Sequence, residues 1–181
     1  MVLQDIRTRK IVTLIIKTLS IYTILSVFFY CYEGLVDPKG SYYSPFLEEY
    51  SLIQVILNCL INPIAWVLKM LGYEVLKTAD TVGILHQKRI HILAPCLGIK
   101  IMIAYVSLIL GFPGSNKIPF LILGIVTIHV MNIGRMLAII LMNQHYPEVV
   151  TISHDFFNYS SYVLIIALYY YWIKKYNAGK I

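Results

Sequence analysis

The feature that most constrains this chain is a set of apolar runs long enough to cross a bilayer. Spanning about 30 Å of hydrocarbon takes about 20 apolar residues in a helix. Such runs occupy residues 11–32 (IVTLIIKTLSIYTILSVFFYCY), 96–112, 118–142 and 156–173. A fifth, 51–71, is less clean: Ser51, Gln54, Asn58 and Asn62 recur every three or four residues and draw one polar line down a helix, which Pro63 then interrupts. This segment either spans with its polar line turned inward or lies at the interface.

Composition supports this class. Charged residues make up 13% and apolar residues 59%, with a mean hydropathy of +0.72, whereas a soluble domain carries about 25% charge. The expected fold is an all-α polytopic membrane protein, a bundle of four or five transmembrane helices, forming one integral membrane domain over 1–181. The net charge of +6 does not call for nucleic acid, because Lys and Arg gather at the ends of apolar runs, where they fix orientation. No small-residue cleavage site follows the first run closely, which predicts an uncleaved anchor.

Between residues 72 and 95 the character changes. Two β-leaning pieces, TVGIL and IHILA, flank the polar turn HQKR and predict a hairpin leading straight into Pro95-Cys96. FPGSNK (112–117) reads as a tight turn and NQHYPEVVTISHD (143–155) as a polar loop.

Three cysteines without C-x-x-C spacing indicate neither a disulfide framework nor a zinc site. No ligand spacing supports a metal at Cys96 and His154, and no cofactor is expected. Cys31 and Cys59 lie inside apolar runs and are expected to pack. Cys96 stands alone at a boundary. It is either packing or a thiol in a helix's first turn, after Pro95, where free N–H groups and the dipole stabilise a thiolate. Lys100, one turn on, either supports the thiolate or snorkels to the interface.

Connectivity groups three residues. Cys96 opens one helix, Arg135 lies late in the next, which runs back, and His154 sits just ahead of the last. Whichever way the chain inserts, all three share one side of the membrane. Arg135, seven residues before 142 and so about 10 Å below the surface, is costly within a span, at about 2.5–3.5 kcal/mol near its centre. It either snorkels or is aimed at a developing oxyanion, with Asn132 on the same face able to hold it. His154 is either a surface residue or the thiol's general base and acid, which Asp155 and Asn158 could orient. His129 is expected to pack or hydrogen-bond deeper in the membrane.

The order Cys, Arg, His on three successive helices, the hairpin GYEV…VGILHQKRIHILAPCLGI, the Asn-x-x-Arg pattern in NIGR and the histidine of SHD together resemble the exosortase/archaeosortase family of membrane transpeptidases. The resemblance covers about 45–175, and the length is similar to that of compact F-type members of Bacteroidota. Leu97 departs from the pattern, since many members have a small residue there. The resemblance implies a cysteine transpeptidase acting on exported proteins that carry a C-terminal sorting tail of short motif, transmembrane helix and basic cluster. Cys96 would form a thioester, His154 would shuttle the proton, and Arg135 would stabilise the oxyanion. An amine on a surface acceptor would release the product.

Such an enzyme is expected in the cytoplasmic (inner) membrane with its site extracytoplasmic. If all five segments span with the N-terminus inside, the site faces the cytoplasm, and flanking Lys and Arg divide six inside against five outside. If 51–71 is re-entrant or interfacial, seven lie inside and four outside, in accord with the positive-inside rule, and the site faces out. The re-entrant arrangement is therefore preferred. The residues alone also admit a transporter subunit or binding module whose Arg135 grips an anion, or a membrane scaffold.

Overall fold

The computed structural model describes residues 2–37, 42–49, 51–86, 90–145 and 150–176, with the backbone alone at 2–7, 48–49, 95, 144–145, 150–155 and 157–158. Helix α1 (Val2–Val36) is followed by the short α2 (Pro45–Glu49) and by α3 (Leu52–Met70). Strands β1 (Val75–Lys77), β2 (Thr81–Ile84) and β3 (Ile90–His91) come next, then a 3-10 turn, Ala94–Leu97. Helices α4 (Ile99–Gly111), α5 (Lys117–His145) and α6 (Val150–Tyr176) complete the chain. The chain is an all-α polytopic membrane protein with one small sheet.

Among the described residues, three stretches are long and apolar enough to cross a membrane: Thr8–Val36, Pro45–Met70 and Lys117–Asn143. Two contain the expected spans 11–32 and 118–142. The expected span 96–112 shortens to a 13-residue α4, about 20 Å long. Helix α6 has length enough at 27 residues, but tyrosines at 159, 162, 169, 170 and 171 and the terminal lysines dilute its apolar run.

Packing follows from small residues. Helix α1 lies on α4, which also packs on α5 and α6. A Cβ on Gly111 would fall 2.2 Å from Thr18 Oγ1, and one on Gly124 2.0 Å from the Tyr105 ring, so both glycines permit close approach. Tyr105 is fully buried and its hydroxyl donates to the Phe120 carbonyl at 2.7 Å. Beside it, Phe112, Phe120, Tyr169 and Trp172 interlock edge to face or tilted. Trp172 Nε1 donates to the Ser115 carbonyl at 3.0 Å, closing the α4–α5 turn onto α6.

A second core lies towards the other end, where Leu57, Leu60, Ile61, Ile64 and Leu68 of α3 meet Val82, Ile84, Ile92, Leu97 and Met136, Ile139 and Ile140 of α5. Pro63 does not interrupt α3, which runs unbroken through it. A helical proline leaves the carbonyl four residues earlier without its usual N–H, here that of Cys59. His129 Nε2 of α5 donates to that carbonyl at 3.2 Å. The bond restores the missing donor and fixes the Nε2-protonated tautomer, fulfilling the expectation for His129.

The expected hairpin forms from β2 and β3 with Thr81 opposite His91; residues 87–89 of its turn lie outside the described residues. Its unforeseen neighbour β1 pairs antiparallel with β2, Leu76 opposite Gly83, giving the order β1-β2-β3. Two residues of the polar line of α3 turn to this sheet. Gln54 Nε2 donates to the Ala79 carbonyl at 3.0 Å and Lys77 Nζ to Asn62 Oδ1 at 2.8 Å. Ser51 caps the helix by accepting from Gln54 N. Cys31 and Cys59 are exposed rather than packed: in a membrane protein the apolar face of a helix can turn outward.

Candidate active site

Strand β3 delivers the chain through Ile92, fully buried, to Leu93, whose extended backbone (φ −87°, ψ 163°) turns it into the Ala94–Leu97 turn. The Cys96 N–H donates to the Leu93 carbonyl at 2.8 Å. Leu97 is fully buried in the core, so the departure at this position fills the space beneath the turn. Gly98 then adopts a left-handed conformation (φ 71°, ψ 12°) and α4 begins after it. A residue with a side chain seldom tolerates that φ.

Cys96 therefore does not stand in the first turn of α4, as expected, but in a separate 3-10 turn ahead of it. The break at Gly98 also resets the helical phase, so a spacing of four no longer keeps Lys100 on the face of Cys96. Lys100 is exposed and its Nζ lies over the Tyr30 ring of α1, 5.6 Å from the centroid.

Helix α5 supplies the opposite wall. Asn132 and Arg135, three residues apart, are both 6% exposed. Asn132 Nδ2 donates to the Cys96 carbonyl at 2.8 Å, and Arg135 lies close enough to Cys96 to interact with it electrostatically. Asn132, expected to steady the arginine, thus grips the cysteine turn. Cys96 itself is half-buried and packs against the core of α3 and α5. Helix α5, 29 residues and about 43 Å long, ends three residues later than expected. Arg135 consequently lies ten residues, about 15 Å, from its end.

His154, Asp155 and Asn158 lie within α6, which starts at Val150. His154 does not precede the last helix; the expected 143–155 loop is helical but for residues 146–149, which lie outside the described residues. Helix satisfies the backbone near a membrane better than loop does. The side chains of His154, Asp155 and Asn158 are likewise outside the described residues; of the expected site residues that are described, the structure brings together Cys96, Asn132 and Arg135. Among the described residues, no three His, Cys, Asp or Glu side chains form a metal-binding group.

Sequence reasoning missed one surface pair, Asp80 and His91. His91 Nδ1 lies 3.4 Å from Asp80 Oδ2 across the β2–β3 pairing, and the two side chains are 53% and 69% exposed for Asp80 and His91. Thr78 Oγ1 also donates to Asp80 at 3.0 Å, holding the carboxyl below its usual range, with His91 adding to this. The signal was TADT ahead of a strand, a turn-forming cluster.

Fold and site define a class: a multi-pass α-helical membrane protein in which a cysteine turn is clamped against a helix carrying a buried arginine. Residues 45–175 match the family model described as Transmembrane exosortase (Exosortase_EpsH), and the chain belongs to that family. It is accordingly a membrane transpeptidase of protein sorting, acting on proteins that bear sorting signals. No curated protein and no solved structure matches the chain. The family match covers the same residues as the resemblance carried by the motifs; the compact F-type is an expectation from length.

Proposed function

We propose that this protein is a cysteine transpeptidase that removes C-terminal sorting tails, made of a short motif, a transmembrane helix and a basic cluster, from exported proteins. The observation that carries the reading is the placement of the half-buried Cys96 beside the buried Arg135 by a direct bond between their two elements. The Cys96 thiolate attacks the scissile carbonyl, and the oxyanion that develops is stabilised by the Arg135 guanidinium. Collapse breaks the C–N bond, the leaving amine takes a proton from the His154 imidazolium, and a Cys96 thioester remains. An acceptor amine, deprotonated by His154, then attacks the thioester and releases the thiolate. Asp155 and Asn158 orient His154. Lys100, held over Tyr30, serves the contact between α1 and α4 instead.

The site belongs on the extracytoplasmic side of the cytoplasmic membrane, with α3 lying along the interface. The contacts of Gln54 and Asn62 with the sheet are eight residues, about 12 Å, apart on α3. The sheet therefore follows the helix, and it carries Lys77 and the exposed Asp80–His91 pair. Were α3 to cross the bilayer, these charges would enter hydrocarbon at about 2.5–3.5 kcal/mol each. At the interface they meet water, while Leu52, Val55, Trp66 and Met70, all exposed, face the lipid. Arg7, Arg9, Lys10, Lys117, Lys174, Lys175 and Lys180 then lie inside.

The decisive experiment replaces Cys96 with Ala in the host and follows the membrane fraction. Precursors retaining helix and basic tail should accumulate, as they should with Arg135→Ala and His154→Ala. Complete processing in Cys96→Ala beside a defect in Arg135→Ala would instead make Arg135 an anion-binding residue of a transporter subunit or binding module.

A further inference from the structure

We propose that Asn132 is a positioning residue for the nucleophile: its side-chain amide fixes the Cys96 turn by holding the Cys96 carbonyl, and so sets the thiol's orientation towards Arg135. The inference rests on the reading of Cys96 as nucleophile and deepens it.

In a continuous helix the Cys96 carbonyl would accept from the N–H of Lys100. The left-handed residue Gly98 ends the 3-10 turn and starts α4 anew, with Ile101 and Met102 N–H both directed to the Gly98 carbonyl. The Cys96 carbonyl is thereby taken out of the helical ladder, in a site where a polar group needs a partner. Asn132 Nδ2 supplies it at 2.8 Å from a side chain that is itself buried.

A second observation converges on the same contact. A Cβ built on Gly98 would meet Asn132 Cγ and Nδ2 at 3.7 Å and Ile128 Cγ2 at 3.8 Å. The glycine that makes the break thus lies directly against the amide that repairs it. Because Asn132 and Arg135 lie one turn apart on α5, one rigid helix sets both the nucleophile's carbonyl and the cation. The turn carrying Cys96 has one residue between the thiol's Cα and the flexible left-handed joint. Without the amide the turn would keep the Cys96–Leu93 bond and the packing of Cys96 and Leu97 against the core, but no side-chain bond from α5 to its backbone among the described residues.

The test uses the full-length chain purified in nanodiscs, with Cys31 and Cys59 replaced by Ser so that Cys96 is the one thiol. Variants are Asn132→Leu (similar size, no donor), Asn132→Asp (donor lost) and Asn132→Gln (donor kept on a longer arm). Two readouts are taken: the pH profile of Cys96 alkylation by iodoacetamide, and the pulse-chase half-time in the host of a precursor that accumulates with Cys96→Ala. Asn132→Leu and Asn132→Asp should slow processing about 100-fold, the loss expected when a reacting group is displaced by about 1 Å. Their alkylation profile should change by at least about fivefold in rate at one end, and Asn132→Gln should recover processing to within about tenfold.

Folded Asn132→Leu that processes within twofold of the parent overturns the proposal. So does a loss that merely tracks the amount of folded protein, with the alkylation profile unmoved. If Cys96→Ala causes no precursor to accumulate, the nucleophile reading fails separately. The alkylation series, which needs no substrate, then decides whether Asn132 positions the thiol.

Discussion

The two cores of the molecule use the same helix differently. At the far end, α5 contributes Phe120 to a cluster with Phe112, Tyr169 and Trp172, where the Tyr105 hydroxyl and the Trp172 indole donate to backbone carbonyls. At the site end, the same helix contributes Asn132 and Arg135 beside Met136, Ile139 and Ile140. The first arrangement holds helices together without chemistry. The second keeps polar groups in an apolar setting, where their interactions are strong because little water competes. The difference teaches where stability and activity should separate under mutation.

The sharpest separation is expected from the proposed nucleophile. Cys96→Ala should abolish processing, by about 10⁶-fold if the residue acts as a covalent nucleophile of an interdependent set, while leaving the melting temperature of the purified protein nearly unchanged. Radiolabelled precursor turnover alongside thermal unfolding would measure both. A large drop in stability with residual turnover would erase the proposed contrast between the ends.

Trp172→Ala should give the reverse pattern. It removes a fully buried ring and its bond to Ser115, for a loss of about 3–5 kcal/mol, with turnover per folded molecule close to the parent's. Unfolding in graded denaturant, combined with processing normalised to folded protein, tests this. Lost turnover in the folded fraction would mean that the far end communicates with the site.

Much of this division was legible from sequence, and the reasons are physical. Long apolar runs announce helices because hydrocarbon demands them, and strict chain reversal puts Cys96 and Arg135 at one end. The hairpin was visible because β-branched residues alternate with turn residues around HQKR. Strand β1 was hidden because VLK is too short to show a period. Pro63 misled because the cost of a helical proline depends on a partner 66 residues away in sequence, His129. Lys100 leaves the face of Cys96 because one left-handed residue, Gly98, shifts the phase of everything after it, which the spacing of four does not show. Exposed Cys31 and Cys59 reflect the other general difficulty, that lipid and protein interior attract the same residues.

Within the site end, Pro63 and His129 offer a finer test, intermediate in size. His129→Leu leaves the Cys59 carbonyl without a donor and should cost about 1–3 kcal/mol. In a Pro63→Ala background the helix supplies its own N–H at that position, and the same change should cost much less. A double-mutant cycle by denaturant unfolding measures the coupling. Additive losses would show that the bond across α3 and α5 does not answer the proline.

The smallest effect should come from Asp80, at the solvent edge of the site end. Its carboxyl is held below the ordinary 3.8 chiefly by the Thr78 hydroxyl, with a smaller contribution from His91. A lowered folded-state value means that the carboxylate contributes stability above the unfolded-state range and that this is lost as pH falls through the folded value. Screening by water limits the contribution to at most about 0.5 kcal/mol. Asp80→Asn should therefore remove a slight acid-induced loosening of the sheet, seen as protection factors in residues 75–84, corrected for the intrinsic exchange rate at each pH, that no longer fall from pH 5 to pH 3. The far-end cluster of Tyr105, Phe112, Phe120, Tyr169 and Trp172 should not respond in either protein, because it contains no carboxyl group. Acid loosening that persists in Asp80→Asn would assign the effect to another carboxyl on the same face, of which Glu74 is the nearest in sequence.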